Sequence, residues 1–254
     1  MASIIITGAS KGIGRATAIE LAGRGHRVVA TARDPRSLDD LDVALRLPLD
    51  VTDPASVVAA VESAGEIDVL VSNAGTIFYS AVESTPIDEL RDLFDRNTFG
   101  ALRVVQAVLP QMRARRSGKV LFVSSIIGRI TLPGSSAYAS TKWAMEAIGE
   151  TLAQEVGPFG ISVGLLEPGA VASGALDDVV RYDLPRDPYS SIFERRRDSA
   201  GSMITPQDVA TAIADAAESE ALPLRIPIGD PARQILAARR QAPDDVPFIP
   251  GGAS

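Results

Sequence analysis

The sequence predicts an α/β fold: a doubly wound parallel sheet with helices on both faces. Three observations lead there. Seven short, β-rich apolar runs, at residues 4–6, 28–31, 44–49, 69–72, 119–123, 161–166 and 224–228, alternate with longer stretches of helical period. Those stretches are long enough to be the crossover helices that parallel strands require, and right-handed crossovers dominate. The first run also passes through a glycine-rich turn, TGASKGIG at 7–14, into a helical pattern.

Several boundaries carry their own signals. Asp53-Pro54, Thr85-Pro86 and Thr205-Pro206 each set a capping residue before a proline suited to the first helical turn. Gly157-Pro158 stops a helix that starts near Tyr138. No repeat and no linker interrupts the chain, so residues 1–254 read as one domain, with a Pro- and Gly-rich tail at about 241–254 that is loosely held.

Composition narrows the chemistry. A formal net charge of -7 gives no overall attraction to nucleic acid or to an anionic membrane. With no cysteine and one histidine, His26, the chain lacks the means for disulfides, thiolate catalysis, a Ser/His/Asp triad or a Cys/His metal cluster. No run approaches the roughly 18 apolar residues of a membrane span, which makes the cytoplasm the expected location. The expected partner is a small molecule.

The glycines of residues 7–14 follow G-x-x-x-G-x-G, not the usual dinucleotide spacing G-x-G-x-x-G. A strand, a glycine turn and a helix start still make an anion site, because backbone N–H groups and the helix dipole face the ligand. In that arrangement Gly8 makes the tight turn, Gly12 admits the phosphate and Gly14 packs helix against strand. Taken alone, the motif is equally an ordinary turn.

Four further motifs follow in order: LDV at 49–51, NAG at 73–75, YASTK at 138–142 and PG at 168–169. Together with the glycine loop they resemble the short-chain dehydrogenase/reductase family over nearly the whole chain. The resemblance implies a Rossmann-type, mostly parallel seven-stranded sheet and a nicotinamide dinucleotide. It assigns cofactor contacts to Gly8, Ser10, Lys11, Gly12, Ile13 and Gly14 in the loop, and to Asp50 and Val51 beside the adenine. Asn73, Ala74 and Gly75 pass close to the cofactor, with Asn73 tying adjacent strands together. Pro168, Gly169, Val171 and Ser173 lie along the nicotinamide, Ser173 standing where the family often has threonine.

The second run continues as VVATARDP, with Ala32 where NAD enzymes commonly carry an acid and Arg33 next to it. Arg33 and Lys11 point to NADP(H). Asp34 argues for NAD by its position, but with Pro35 after it Asp34 also reads as a helix N-cap.

Tyr138 and Lys142 are four apart on a predicted helix and share a face. Such pairs are common on helix surfaces. A cation about 4 Å from the phenol at an effective dielectric near 20 is worth roughly 4 kcal/mol, enough to lower its pKa by about three units. In the resemblance Tyr138 and Lys142 are catalytic, as is Ser125, thirteen residues before Tyr138. Ser125 is preferred to Ser124 because strand alternation aims one of them at the cleft. Asn97 matches the asparagine that interrupts a helix and holds a water linking the lysine to solvent, while also reading as a simple kink.

The expected reaction interconverts a carbonyl and an alcohol by hydride transfer. Substrate contacts are expected at about 174–203, with Phe78, Tyr79, Tyr182, Tyr189 and Phe193 as candidates for an apolar wall. Arg195, Arg196 and Arg197 read as a solvated face or an anion attractor. The stretches NAGTIFYSAVESTPIDEL and RIPIGDPA resemble the branch of 17β-hydroxysteroid and retinol dehydrogenase relatives, which implies a hydrophobic substrate. Alternatives are an acyl-carrier-protein-type ketoreductase, a noncatalytic NADP-binding sensor, and an epimerase, a class with a larger C-terminal substrate domain than the roughly 25 residues expected after the last run here. Family members commonly pair through helices that here span about 98–115 and 138–157, implying a homodimer or homotetramer.

Overall fold

In the computed structural model, residues 1–173, 179–193 and 202–251 are described. Seven strands form one sheet: β1 (Ser3–Ile6), β2 (Arg27–Ala32), β3 (Leu45–Pro48), β4 (Val69–Ser72), β6 (Gly118–Val123), β7 (Ile161–Pro168) and β9 (Arg225–Ile228). Their order is β3-β2-β1-β4-β6-β7-β9 and every pairing is parallel. All seven expected runs are in it.

Helices cover both faces: α1 (Gly12–Gly23), α2 (Pro54–Ala64), α3 (Ile87–Phe94), α4 (Gly100–Arg115), α5 (Ser136–Val156), α6 (Pro206–Glu218) and α7 (Asp230–Gln241). Strand alternation divides the core between them. Ile5, Val29, Leu70, Val120 and Phe122 face the α2, α4 and α5 side; Ile4, Ile6, Val28, Val69, Val71 and Leu121 face α1 and α6. Because both faces are buried, the strands read as continuous apolar runs.

Asp53 and Thr205 cap α2 and α6 as expected, Thr205 in a reciprocal capping box with Asp208. Thr85 does not cap. Pro86 takes the cap position of α3, while Thr85 Oγ1 donates to the carbonyl of Ala81 (2.9 Å) and meets Ser80 Oγ at 2.7 Å. Its hydroxyl is drawn inward by these nearer partners. The helix carrying Tyr138 starts two residues earlier than expected, at Ser136, and passes into a 3-10 turn at Gly157–Phe159.

A second, two-stranded parallel sheet pairs β5 (Phe78–Ser80) with β8 (Val180–Tyr182). Three-residue strands paired across about a hundred positions leave no periodic signal. Residues 242–251, past α7, are irregular and mostly exposed, though half-buried Phe248 packs on the cluster around Ala232 and Leu236. Among the described residues no helix is long and apolar enough to cross a membrane.

Candidate active site

The chain enters β4 on the opposite side of β1 from β2 and β3, so the sheet order reverses at the β1/β4 boundary. Open α/β sheets bind ligands at such switch points, beyond the carboxyl ends of the strands. A cavity of about 580 Å³ lies there.

Its floor is the glycine loop. Gly8 and Gly12 have φ of +70° and +57°, which side-chain-bearing residues rarely adopt. A Cβ on Gly14 would sit 2.3 Å from the Gly8 carbonyl oxygen and 2.5 Å from Asn73 Nδ2, so this glycine lets helix, turn and β4 close on one another. Lys11 stands at the N-cap of α1 without a side-chain cap bond, and the first turn contains no acid. No acid of the first turn competes for the leading N–H groups of α1, an arrangement that suits a pyrophosphate.

Thr7, to which no motif assigns a role, locks this floor to β4. Its Oγ1 accepts hydrogen bonds from the backbone N–H groups of Asn73 and Ala74, both at 3.0 Å. Asn73 Nδ2 returns bonds to the carbonyls of Thr7 (2.9 Å) and Gly8 (3.1 Å), the strand tie expected of it.

Arg33 is exposed at the cavity rim beside Ala32 and Asp50. Asp34 does not line the cavity: its carboxylate accepts from the Arg36 N–H (3.1 Å) and pairs with the Arg36 guanidinium (2.8 Å), as its capping role requires. Asp50 accepts from the N–H and hydroxyl of Thr52, and these bonds, followed by the charges of Arg33 and Arg96, hold its carboxyl below the usual range. Arg96 is a cavity cation that the motifs did not single out; it stands next to Asn97 on the helix interruption.

The other end holds Ser125, Tyr138 and Lys142. Ser125 follows β6, donates to the Pro168 carbonyl at 3.5 Å and caps a 3-10 turn at Ile126–Gly128. Ser124 also lines the cavity, yet its hydroxyl has no partner, so alternation favours Ser125 without removing Ser124 from the wall.

Lys142 is buried and donates to the Val123 carbonyl at 2.7 Å, with Nζ 5.7 Å from the centre of the Tyr138 ring. The expected lowering of the phenol pKa is not found. Burial raises it, the neighbouring Tyr79 adds to the rise, and the Ser125 hydroxyl opposes both. Burial also pushes the Lys142 ammonium down to about 8, against the pull of Glu146. Desolvation is thus the dominant influence on both groups.

Asn97 interrupts the helix as expected: Asp95–Phe99 form one π-turn between α3 and α4. Its amide is wholly buried, accepting from the Thr76 N–H (2.8 Å) and donating to the Thr76 carbonyl (2.8 Å) and to Thr141 Oγ1 (3.1 Å). It fastens the segment after Gly75 to α5 and does not line the cavity. Both amide hydrogens are committed, which leaves its side chain no donor for a water.

Pro168, Gly169, Val171 and Ser173 border the same cavity, their segment pinned by backbone bonds between Ala170, Ala172 and Ile204. Every expected site residue except Gly14 and Asn97 lines it. Of the five aromatic candidates, only Tyr79 does. Phe78 and Tyr182 pack edge-on at 5.2 Å, Tyr189 donates to Glu83, and Phe193 fills the space above Gly134. Arg195, Arg196 and Arg197 lie outside the described residues, as does part of the expected substrate segment. No group of three or more His, Cys, Asp or Glu able to hold a metal occurs among the described residues.

Comparison with known proteins assigns the class. The profile of the family described as short chain dehydrogenase matches residues 2–182. The chain belongs to the short-chain dehydrogenase family and is an oxidoreductase of that family. Retinol dehydrogenase 8 of Bos taurus is 34% identical over 251 residues, covering 88% of this chain and 80% of its own. A short-chain dehydrogenase from Streptomyces avermitilis superposes with TM-score 0.85 at 38% identity, covering 95% of this chain and 93% of its own. A short-chain dehydrogenase from Burkholderia cenocepacia, solved in complex with NADP, gives TM-score 0.78 at 25% identity, with 94% of each chain covered.

Proposed function

We propose that the protein is an NADP(H)-dependent oxidoreductase interconverting a carbonyl and an alcohol on a hydrophobic small molecule. One observation carries this reading: the anion-binding glycine loop and the Ser125, Tyr138, Lys142 group line a single cavity. Arg33 at its rim and Lys11 at the loop favour the 2'-phosphate of NADP. The structural relative solved with NADP supports the same choice.

The bound nicotinamide supplies the hydride. Ser125 and Tyr138 hold the carbonyl oxygen of the substrate by hydrogen bonds, and Tyr138 delivers the proton that completes the alcohol. A phenol whose pKa is raised by burial stays protonated at neutral pH, which is the form reduction consumes. Lys142, cationic below about pH 8, orients the cofactor ribose and favours the phenolate that Tyr138 becomes. Asn97 is a positioning residue in this scheme, fixing the strand segment and α5 together.

Ile77, Tyr79, Ile126, Ile127 and Leu132 line the same cavity as Tyr138 and support an apolar substrate. The retinol dehydrogenase relative agrees with that character. Exposed Phe99 and Trp143 on the two helices expected to pair support a homodimer or homotetramer.

Titration with NADPH and NADH, followed by nicotinamide fluorescence, tests the cofactor assignment. Arg33→Ala is expected to weaken NADPH binding ten- to hundredfold, the range of a lost charged hydrogen bond of about 1.5–3 kcal/mol, while leaving NADH unchanged. Tyr138→Phe is expected to keep NADPH binding and lose turnover of hydrophobic ketones and aldehydes. Full turnover in that variant overturns the mechanism.

A further inference from the structure

Behind Lys142, away from the cavity, two carboxylates are buried together. Glu146 lies one turn after Lys142 on α5, and Glu167 is at the end of β7; they are 4% and 0% exposed. Both converge on one atom, Arg225 Nε, at 3.0 Å from Glu146 Oε2 and 3.7 Å from Glu167 Oε1. Arg129 on the 3-10 turn side reaches Glu167 Oε1 at 3.2 Å, and Arg225 is shared a third time, with the half-exposed Glu150 at 2.6 Å. Lys142 also feels the charge of Glu146.

Two guanidinium groups therefore serve three carboxylates, and the remaining oxygens are left over. Glu146 Oε1 and Glu167 Oε2 are buried with no hydrogen-bond partner, and so is the hydroxyl of Ser124. Glu146 and Ser124 are neighbours: a Cβ on Gly128 would lie 2.9 Å from Glu146 Cγ and 3.1 Å from Ser124 Oγ. A buried carboxylate with an unmet oxygen is costly, and two of them gathered on one guanidinium nitrogen are costlier; one proton relieves both conditions by turning an acceptor into a donor.

We propose that Glu146 and Glu167 share one exchangeable proton and that their remaining charge holds Lys142 as the ammonium. The pair is a positioning element for the lysine, with the partly exposed Arg225 at its edge. Burial and the charge of Glu146 both raise the Glu167 pKa, in keeping with Glu167 carrying the proton. Glu146 then carries the charge nearest Lys142. The inference rests on the catalytic role proposed for Lys142, but the proton itself does not.

Two measurements separate these. Infrared spectra of the whole protein containing isotope-labelled glutamate, in D2O at neutral pH, are expected to contain a shifted protonated-carboxyl band that Glu167→Gln removes. Absence of that band in the wild type overturns the proposal, whether or not Tyr138→Phe retains turnover. The pH profile of kcat/KM gives the second readout. Glu146→Gln moves the alkaline limb about one unit lower, the smaller end of the effect of a nearby opposite charge, with NADPH affinity kept at neutral pH. Glu167→Gln leaves that limb in place or moves it higher, because Glu146 stays ionised. Equal shifts in the same direction from both variants overturn the proposal, since they mark a merely structural role.

Discussion

Thr7→Val isolates the joint between the glycine loop and β4. Valine keeps the shape of this wholly buried side chain but removes the oxygen that accepts from Asn73 and Ala74. Each N–H deprived of its partner costs about 1–3 kcal/mol; with Asn73 and Ala74 half-buried, the sum falls at about 2–4 kcal/mol. For a chain of this size that is a fall of roughly 4–16 °C in Tm. Thr7→Ser keeps the oxygen and loses a methyl group, costing about 1 kcal/mol. Urea unfolding of the three proteins, compared by midpoint at constant slope, measures the difference. The loop is then loosened where the pyrophosphate would bind, so NADPH affinity falls in the valine variant more than in the serine one. A valine variant within about 0.5 kcal/mol of wild type, a difference usual for innocuous surface changes, refutes the account of this joint.

The pH dependence of Lys142 has a definite sign. Its ammonium is pushed down to about 8, so kcat/KM for carbonyl reduction declines as pH rises through 8, and a flat profile to pH 10 contradicts the assignment. From about 8 up to the ordinary lysine value of 10.5, the unfolded chain binds more protons than the folded one, and this group makes stability increase with pH there. Thr205→Ala opens the capping box of α6 and costs about 1 kcal/mol in a thermal or urea melt. Asp208, whose carboxyl is held below its usual range by the Thr205 N–H, makes its contribution above the unfolded carboxylate pKa. That contribution is lost as the pH falls through the lower folded value, which acid titration of the melt follows.

The seven strands, the helices between them, the caps at Asp53 and Thr205 and the anion-binding turn follow from local properties: apolar runs, fixed-φ prolines and glycines at positions needing positive φ. The resemblance carried by the motifs reached the residues that meet in the cavity, because each sits at a strand end or on a helix face whose direction the local period already sets. Other features depend on groups distant in sequence. The 78–80 and 180–182 strands pair across a hundred residues, and four of the five aromatic candidates found neighbours to pack on instead of the cavity. Thr7 owes its role to N–H groups some 66 positions away.

Ionisation belongs to the same category. Helix spacing alone put a lysine beside a phenol, but the sign of the shift depends on burial, and burial is produced by every element that closes over α5. The meeting of Glu146, Glu167, Arg129 and Arg225 is likewise invisible in any window of the sequence, for they come from a helix, two strands and a turn. Local geometry set which groups could point at the site; the low dielectric made by the assembled fold decided which of them hold protons.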